Sequence, residues 1–427
     1  MAGSTQLDPN VERLVDRLMK YFMVMYLVEG WAAVTGILHQ PLYLFCSEVF
    51  GWKADAVGNY VAVLGIPWVI KPLYGLISDT FPLLGYRRKS YLILLNSLAV
   101  VAFAALIVLS SPGMIIVALT VITVAMAASS ALCGALLVEN GKSTGHNAKF
   151  CSQQTLWANL ASITAALIGG WLCAYLGGRG SMHWGALITM FAPIAVVVAT
   201  CKWIDEEKTH GVQLKAVGNG VKTAVQSPIV WLVSLFLVLW AFNPGFGAPL
   251  FFHMKDNLHF SQSFIGTLAA WFAGGAAVGA ILFRWLSPKL PMNLVVLILI
   301  IVGAIVQYCF VFMASPTTAT VLNVLNGALT ASAGLAVHVV AANKCPKGAE
   351  GFVYGLLISL TNASYFGSQA IGGNLYVNYL HSDINSLIAI SAGLTLTCLV
   401  VLPFINFSKE EGPTWFRLAY NRMCAAK

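Results

Sequence analysis

Two ionisable side chains lie inside apolar runs of this sequence: Glu29 within "YFMVMYLVEGWAAVTGILHQ" and Lys71 within "GIPWVIKPLYGLISDTFPLLGYRRKSYL". A carboxylate and an ammonium can neutralise each other, bind a solute of opposite charge, or carry a proton. Near the centre of a membrane span each costs about 2.5–3.5 kcal/mol to insert, so each is expected to face a partner or a wet cavity. Glu29 and Lys71 on neighbouring spans make one such pair. Lys71 has two other readings: it attracts an anionic solute, or its stem snorkels to the interface and serves orientation only. Asp79 stands eight residues beyond Lys71, about 12 Å along a helix, and Arg87, Arg88 and Lys89 follow it. Glu139, beside "NGKST", reads as a boundary acid at the end of another apolar run. No clustered nucleophile and base, no metal-ligand spacing and no phosphate-binding glycine loop accompany these residues. The sequence therefore predicts no enzyme, no cofactor, no metal and no direct ATP drive.

The elements that must position these charges follow from composition. The chain is 58% hydrophobic and 9% charged, with mean hydropathy +0.79, whereas soluble domains carry about a quarter charged residues. Apolar stretches of about 20 residues recur along it, each long enough to cross a bilayer as a helix. An all-α integral membrane protein is expected, with twelve spans at 21–45, 55–78, 90–110, 114–138, 151–177, 184–202, 228–252, 262–286, 292–313, 317–342, 350–378 and 384–406. The longest polar connection follows the sixth. It divides the chain into an N-terminal segment 1–20, a six-helix bundle 21–202, a linker 203–227, a second bundle 228–406 and a tail 407–427. Basic residues crowd one set of loops, with Arg13, Arg17, Lys20, Arg87, Arg88, Lys89, Lys202 and Lys208 among them, and the other set holds only Lys53, Arg179 and Lys255. The positive-inside rule then makes both termini and the linker cytoplasmic. The net charge of +8 reflects this orientation and not nucleic-acid binding.

The seventh span contains "AFNPGFGAPLFF", with Asn243, Pro244, Gly245, Gly247 and Pro249. Proline removes a backbone donor and glycine weakens a helix, so a kinked or unwound stretch is expected. It is either a structural kink or a solute site, with Asn243 and Phe246 as contacts. Transporters often bind solute where helices break near the midplane.

"KPLYGLISDTFPLLGYRRKSYL", "FNPGFGAPLFFHMKDNLHFSQSFIG" and "NKCPKGAEGFVYGLLISLTNAS" resemble the folate–biopterin transporter family of the major facilitator superfamily. The resemblance implies a secondary transporter working by alternating access, with a site between two six-helix halves, a pterin or folate as solute, and Lys71 as an attractor for its carboxylates. Gly75, Asp79, Gly85, Arg87 and Arg88 fit the superfamily's loop signature. Gly75 is expected to let a partner helix approach, and Asp79 to pair with loop arginines or face a helix N-terminus in a gate. Glu350 opens span 11 either as a cap or as a gating acid. Ser359 and Asn362, matching "L-x-S-L-x-N", hydrogen-bond either between helices or to solute. Span 4 departs from the family pattern: Ser130 and Gly134 stand where two carboxylates are expected, and only Glu139 remains. Proton coupling through Glu29 or Glu139 is the corresponding expectation, for a monomer whose partners are solute, protons and lipid. The alternatives are transport of S-adenosylmethionine or another nucleoside-like solute, and a receptor or scaffold that has lost transport.

Overall fold

The computed structural model describes residues 9–209, 226–287, 289–344 and 350–405. These residues are helical, with no strand among them. Among the described residues, eight helices are long and apolar enough to cross a membrane. Expected spans 5 and 6 run together in one of them, which bends where Gly177 takes φ 62° and ψ −174°, a conformation that glycine reaches without a Cβ penalty. The helix at the expected span 11 is not among these eight, because it carries the polar residues Asn362, Ser364, Ser368 and Gln369. Large apolar side chains such as Val101, Val108, Ile281 and Val400 are exposed along their helices, as contact with lipid requires.

The chain forms two compact units. The first comprises Met1–Phe45 and Ile70–Leu214. Its described helices include α1 (Pro9–Ala32), the start of α2 (His39–Val49), and, after α3 (Ala54–Val69) of the second unit, α4 (Lys71–Thr80), α5 (Lys89–Val108), α6 (Pro112–Thr144) and α7 (Asn147–Trp203). Here α1 packs on α7 and α6, α5 on α6 and α7, and α4 on α6. Tyr21, Phe22, Met25 and Tyr26 of α1 are fully buried, and the Phe22 ring meets Phe150 edge-on at 5.1 Å. Close approach of α1 and α7 depends on Gly30, where a Cβ would strike that of Ala161.

The second unit comprises Cys46–Val69 and Lys215–Lys427. It contains α3, α8 (Pro228–Ala241), the short α9 (Ala248–Phe252), α10 (Gln262–Leu286), α11 (Met292–Cys309), α12 (Pro316–Lys344), α13 (Glu350–Asn374) and α14 (Ile384–Val401). Residues 46–69, placed by the sequence in the N-terminal bundle, cluster with this unit because α3 lies along α13. The seam is built on Gly58 against the Gln369 carbonyl, Gly65 against the Phe366 ring and Gly373 against the backbone of Ala54 and Asp55.

The α10–α12 pair is closer still. Gly275 and Gly279 are one turn apart, and a Cβ on either would run into the carbonyl of Val324 or Ala328; Gly327 faces the Phe272 carbonyl in the same way. Small residues at this spacing let helices pack backbone to backbone in lipid, and Ser332 Oγ adds a hydrogen bond to Gly279 O at 3.0 Å. Gly279→Val is therefore expected to destabilise the unit by about 1–3 kcal/mol, the usual cost of overpacking. A drop in the melting temperature of the purified protein would show it, with the exposed-site Gly274→Ala, which meets nothing within 4 Å, as control.

Candidate functional site

The second expected span is not one rod. Pro67 and Pro72 flank a break at Ile70, where α3 ends and α4 begins. Pro72 has no N–H to offer the Trp68 carbonyl four residues back, and Asn362 Nδ2 supplies the missing donor at 3.1 Å. The same break makes Lys71 the first residue of a new helix, so α4 carries it towards α6.

On α6 it meets Ser130. Lys71 Nζ donates to Ser130 Oγ at 2.8 Å, and Ser130 Oγ donates to Glu29 Oε1 of α1 at 2.7 Å. The expected acid–base pair is thus joined through a hydroxyl, and that hydroxyl stands where the family resemblance places a carboxylate. Ser130 itself is buried, while Glu29 and Lys71 each keep part of their surface accessible. Glu29 Oε2 is buried and has no hydrogen-bond partner among the described residues.

One turn further along both helices the side chains vanish. Gly75 follows Lys71 by four residues and Gly134 follows Ser130 by four, which puts each on the same helix face as the polar residue before it. A Cβ built on either would meet nothing within 4 Å. Gly75 therefore does not serve close helix packing, as the sequence suggested; α4 has open space there, and the Gly75 carbonyl accepts from Ser78 Oγ at 3.0 Å.

A further turn along α4, Asp79 enters an ionic cluster. Arg88, only 2% exposed, directs Nη2 at Asp79 Oδ1 (2.7 Å) and Glu139 Oε1 (3.0 Å), and its Nη1 donates to Ser78 Oγ. Arg87 reaches Asp79 at 3.4 Å and Glu139 at 3.9 Å. The signature residues Asp79, Arg87 and Arg88 and the boundary acid Glu139 are brought together as one network.

Sequence reading missed its anchor. Glu206 places its carboxylate at the N-terminus of α5, where it accepts from the backbone N–H groups of Arg87 (3.0 Å), Arg88 (3.1 Å) and Lys89 (2.8 Å). These are donors a helix start leaves without partners, and the helix dipole favours an anion there. The neighbouring residues reinforce it: Asp205 pairs with Arg17 of α1, Ile204 O accepts from Lys89 Nζ at 2.8 Å, and Thr209 N donates to Gly85 O at 2.9 Å. The only sequence signal was an acidic "IDEE" beside an otherwise basic set of loops. Glu206→Ala is expected to cost about 1–2 kcal/mol, the scale of a lost helix cap. Thermal unfolding checks it, and Glu207→Ala, which belongs to none of these bonds, should change little.

In the second unit the expected break is present. The helix stops at Ala241 and resumes at Ala248. Its loose backbone groups are met by side chains: Gly245 N donates to Ser391 Oγ (2.7 Å) and Ala248 N to Gln369 Oε1 (3.3 Å), and Phe246 O accepts from Gln369 Nε2 (3.4 Å). Gly247 has φ +98°, and a Cβ there would overlap the Gln369 amide. Phe246 packs edge-on against Phe310 at 5.0 Å. Asn243 donates to Trp240 O at 3.1 Å, and its Oδ1, like Ser359 Oγ, is buried without a partner among the described residues. Glu350 opens α13 as expected; its side chain lies outside the described residues.

The profile of the BT1 family matches residues 32–408, which span all of these features except Glu29 and Arg17. The chain belongs to the BT1 family. Relatives of this chain include the folate-biopterin transporter of Synechocystis sp., 24% identical across 91% of this chain and 81% of that protein. Folate transporter 2 of Plasmodium falciparum is 22% identical across 93% and 94%. Among solved structures, a D-xylose-proton symporter superposes with a TM-score of 0.73 at 13% identity, covering 93% of this chain and 99% of the other. A nucleoside transporter superposes with a TM-score of 0.69 at 14% identity, covering 93% and 100%. At these identities the likeness is one of fold: this BT1 chain shares the all-helical fold of those two proteins.

Proposed function

We propose that this protein is a secondary transporter that moves a pterin- or folate-type anion across a membrane by alternating access. In this reading twelve spans form two six-helix halves, 21–202 and 228–406, with both termini and the linker 203–227 cytoplasmic. The protein acts as a monomer, and the network of Asp79, Arg87, Arg88 and Glu139 belongs to a cytoplasmic gate. The observation that carries the reading is the chain Glu29–Ser130–Lys71, two opposite charges kept in the apolar interior with open space one turn away at Gly75 and Gly134. Retaining both against an insertion cost of about 2.5–3.5 kcal/mol each has a use if solute and water reach them. The names of the relatives supply the solute class, and Lys71 supplies the chemistry, since an ammonium suits the carboxylates of a folate tail. A net cation of the S-adenosylmethionine type would meet Lys71 as a like charge.

Uptake of labelled folate, pterin and S-adenosylmethionine into proteoliposomes tests this. Uptake of folate or pterin, and not of S-adenosylmethionine, is the expected result. Preference for S-adenosylmethionine would overturn the solute assignment. Transport of none by a well-folded protein would favour a receptor or scaffold.

A further inference from the structure

We propose that the basic end of α10 is a binding site for an anionic phospholipid, with Arg284 and Lys289 on the headgroup phosphate and the apolar stripe of the helix along an acyl chain. The site is separate from the helices that carry Glu29 and Lys71, and it does not depend on which solute is moved.

Charge is unbalanced at this end of the helix. In the first unit Arg87 and Arg88 are compensated by Asp79 and Glu139, and Arg17 by Asp205. The loop "FRWLSPKLP" has no such acid: the sequence holds no Asp or Glu between Asp256 and Glu350. Neither Arg284 nor Lys289 forms an ion pair among the described residues. Arg284 sits in the last turn of α10, Lys289 follows just beyond it, and both are exposed. Two cations without a carboxylate at one helix end call for an anion from outside the chain. A guanidinium presents a planar fork of donors that matches phosphate oxygens, and an ammonium adds a second positive charge. A zwitterionic headgroup brings its own cation and leaves this excess in place, whereas a net anionic one removes it.

The surface beside the cations has the form of a lipid wall. After α10 the chain turns back, with Lys289 N donating to Leu286 O at 2.9 Å, and Lys289 Nζ lies 3.3 Å from the centroid of the Trp285 ring. That contact holds the ammonium beside an indole, a side chain that favours the bilayer interface. Residues 271–283 then contain no polar side chain. Trp271, Val278, Ile281, Leu282 and Trp285 are each half or more exposed, and their three-, four- and seven-residue spacings put them on one face of the helix. Gly274 lies on that face too, where a Cβ would meet nothing within 4 Å, so the stripe is notched between Trp271 and Val278. The neighbouring face, with Gly275 and Gly279, is the one that packs on α12. From Trp285 to Trp271 the helix runs about 21 Å, longer than the about 15 Å of hydrocarbon in one leaflet. An acyl chain can therefore follow the stripe over its whole length while its phosphate stays at Arg284 and Lys289.

The test uses the full-length protein in phosphatidylcholine nanodiscs, into which phosphatidylglycerol or further phosphatidylcholine with brominated acyl chains is introduced, since bromine quenches tryptophan on contact. One basic residue near the bilayer surface enriches an anionic lipid about fivefold. Brominated phosphatidylglycerol should therefore reach half-quenching at a mole fraction at least about fivefold lower than brominated phosphatidylcholine. This excess should shrink in Trp285→Phe, fall in part in Lys289→Gln, vanish in Arg284→Gln/Lys289→Gln, and persist in Lys53→Gln, which removes an exposed cation elsewhere. Equal quenching by the two lipids overturns the proposal. An excess that survives Arg284→Gln/Lys289→Gln overturns it too, because the anionic lipid then sits elsewhere. Loss of the excess on adding millimolar glycerol phosphate overturns the lipid in favour of a soluble phosphate. No quenching of Trp285 by either lipid would mean that a second copy of the chain covers the stripe, and it too overturns the proposal.

Discussion

Lys71→Ala is expected to lower folate or pterin uptake by at least about 30-fold. That figure corresponds to 2 kcal/mol, the lower end of what is lost when one partner of a buried, hydrogen-bonded charge pair is truncated. Two losses combine: the anion attractor disappears, and Ser130 and Glu29 are left without their cation. Initial rates in proteoliposomes, normalised to inserted protein, are the measurement. If Lys71 only snorkelled to the interface, the variant would transport normally once inserted, and an unchanged rate would remove it from the site. Ser130→Ala should lose less, because both charges remain and can approach each other directly.

The second large effect is on stability. Arg88→Ala is expected to destabilise the first unit by about 2–3 kcal/mol. Removing one member of a buried ionic group costs about 3–5 kcal/mol when the partners stay buried, and the figure is reduced here because the Asp79 and Glu139 side chains are 28% and 41% exposed and regain some hydration. Arg88→Ala also deletes the bond to Ser78. In a double-mutant cycle with Asp79→Ala the two losses should add to less than their sum, since they share one interaction. Additive losses measured by thermal unfolding would mean that the two side chains do not support each other.

What the sequence made legible follows the cost of each feature. Glu29 and Lys71 stood out because a charge in an apolar run has few cheap explanations. The break at Asn243–Gly247 was visible for a similar reason, two prolines and two glycines within one span. Ser130 was not visible as a partner of both, because a hydroxyl in a helix is common and its partners lie 101 and 59 residues away. Glu206 looked like a solvated loop acid; nothing local shows that residues 118 positions earlier present three N–H groups to it. The interruption at Ile70 had a local signal in Pro67 and Pro72, yet its outcome depends on Asn362 to serve the freed carbonyl. That α3 lies along α13 was not visible either, since the small residues that bring the two helices together, Gly58 and Gly373, are more than 300 positions apart in the chain. The polar residues of α13, expected as span 11 at 350–378, have partners that the sequence does not show: Asn362, Ser364 and Gln369 bond to protein carbonyls and amides.

The bare positions at Gly75 and Gly134 bear on how the family could diversify. With no side chain at either, the open space one turn from the charged chain is left clear. A single methyl at 134 would narrow it without altering any charge, and a carboxylate there would line it with a second anion. Room and electrical character can thus both be retuned by substitution at this one position.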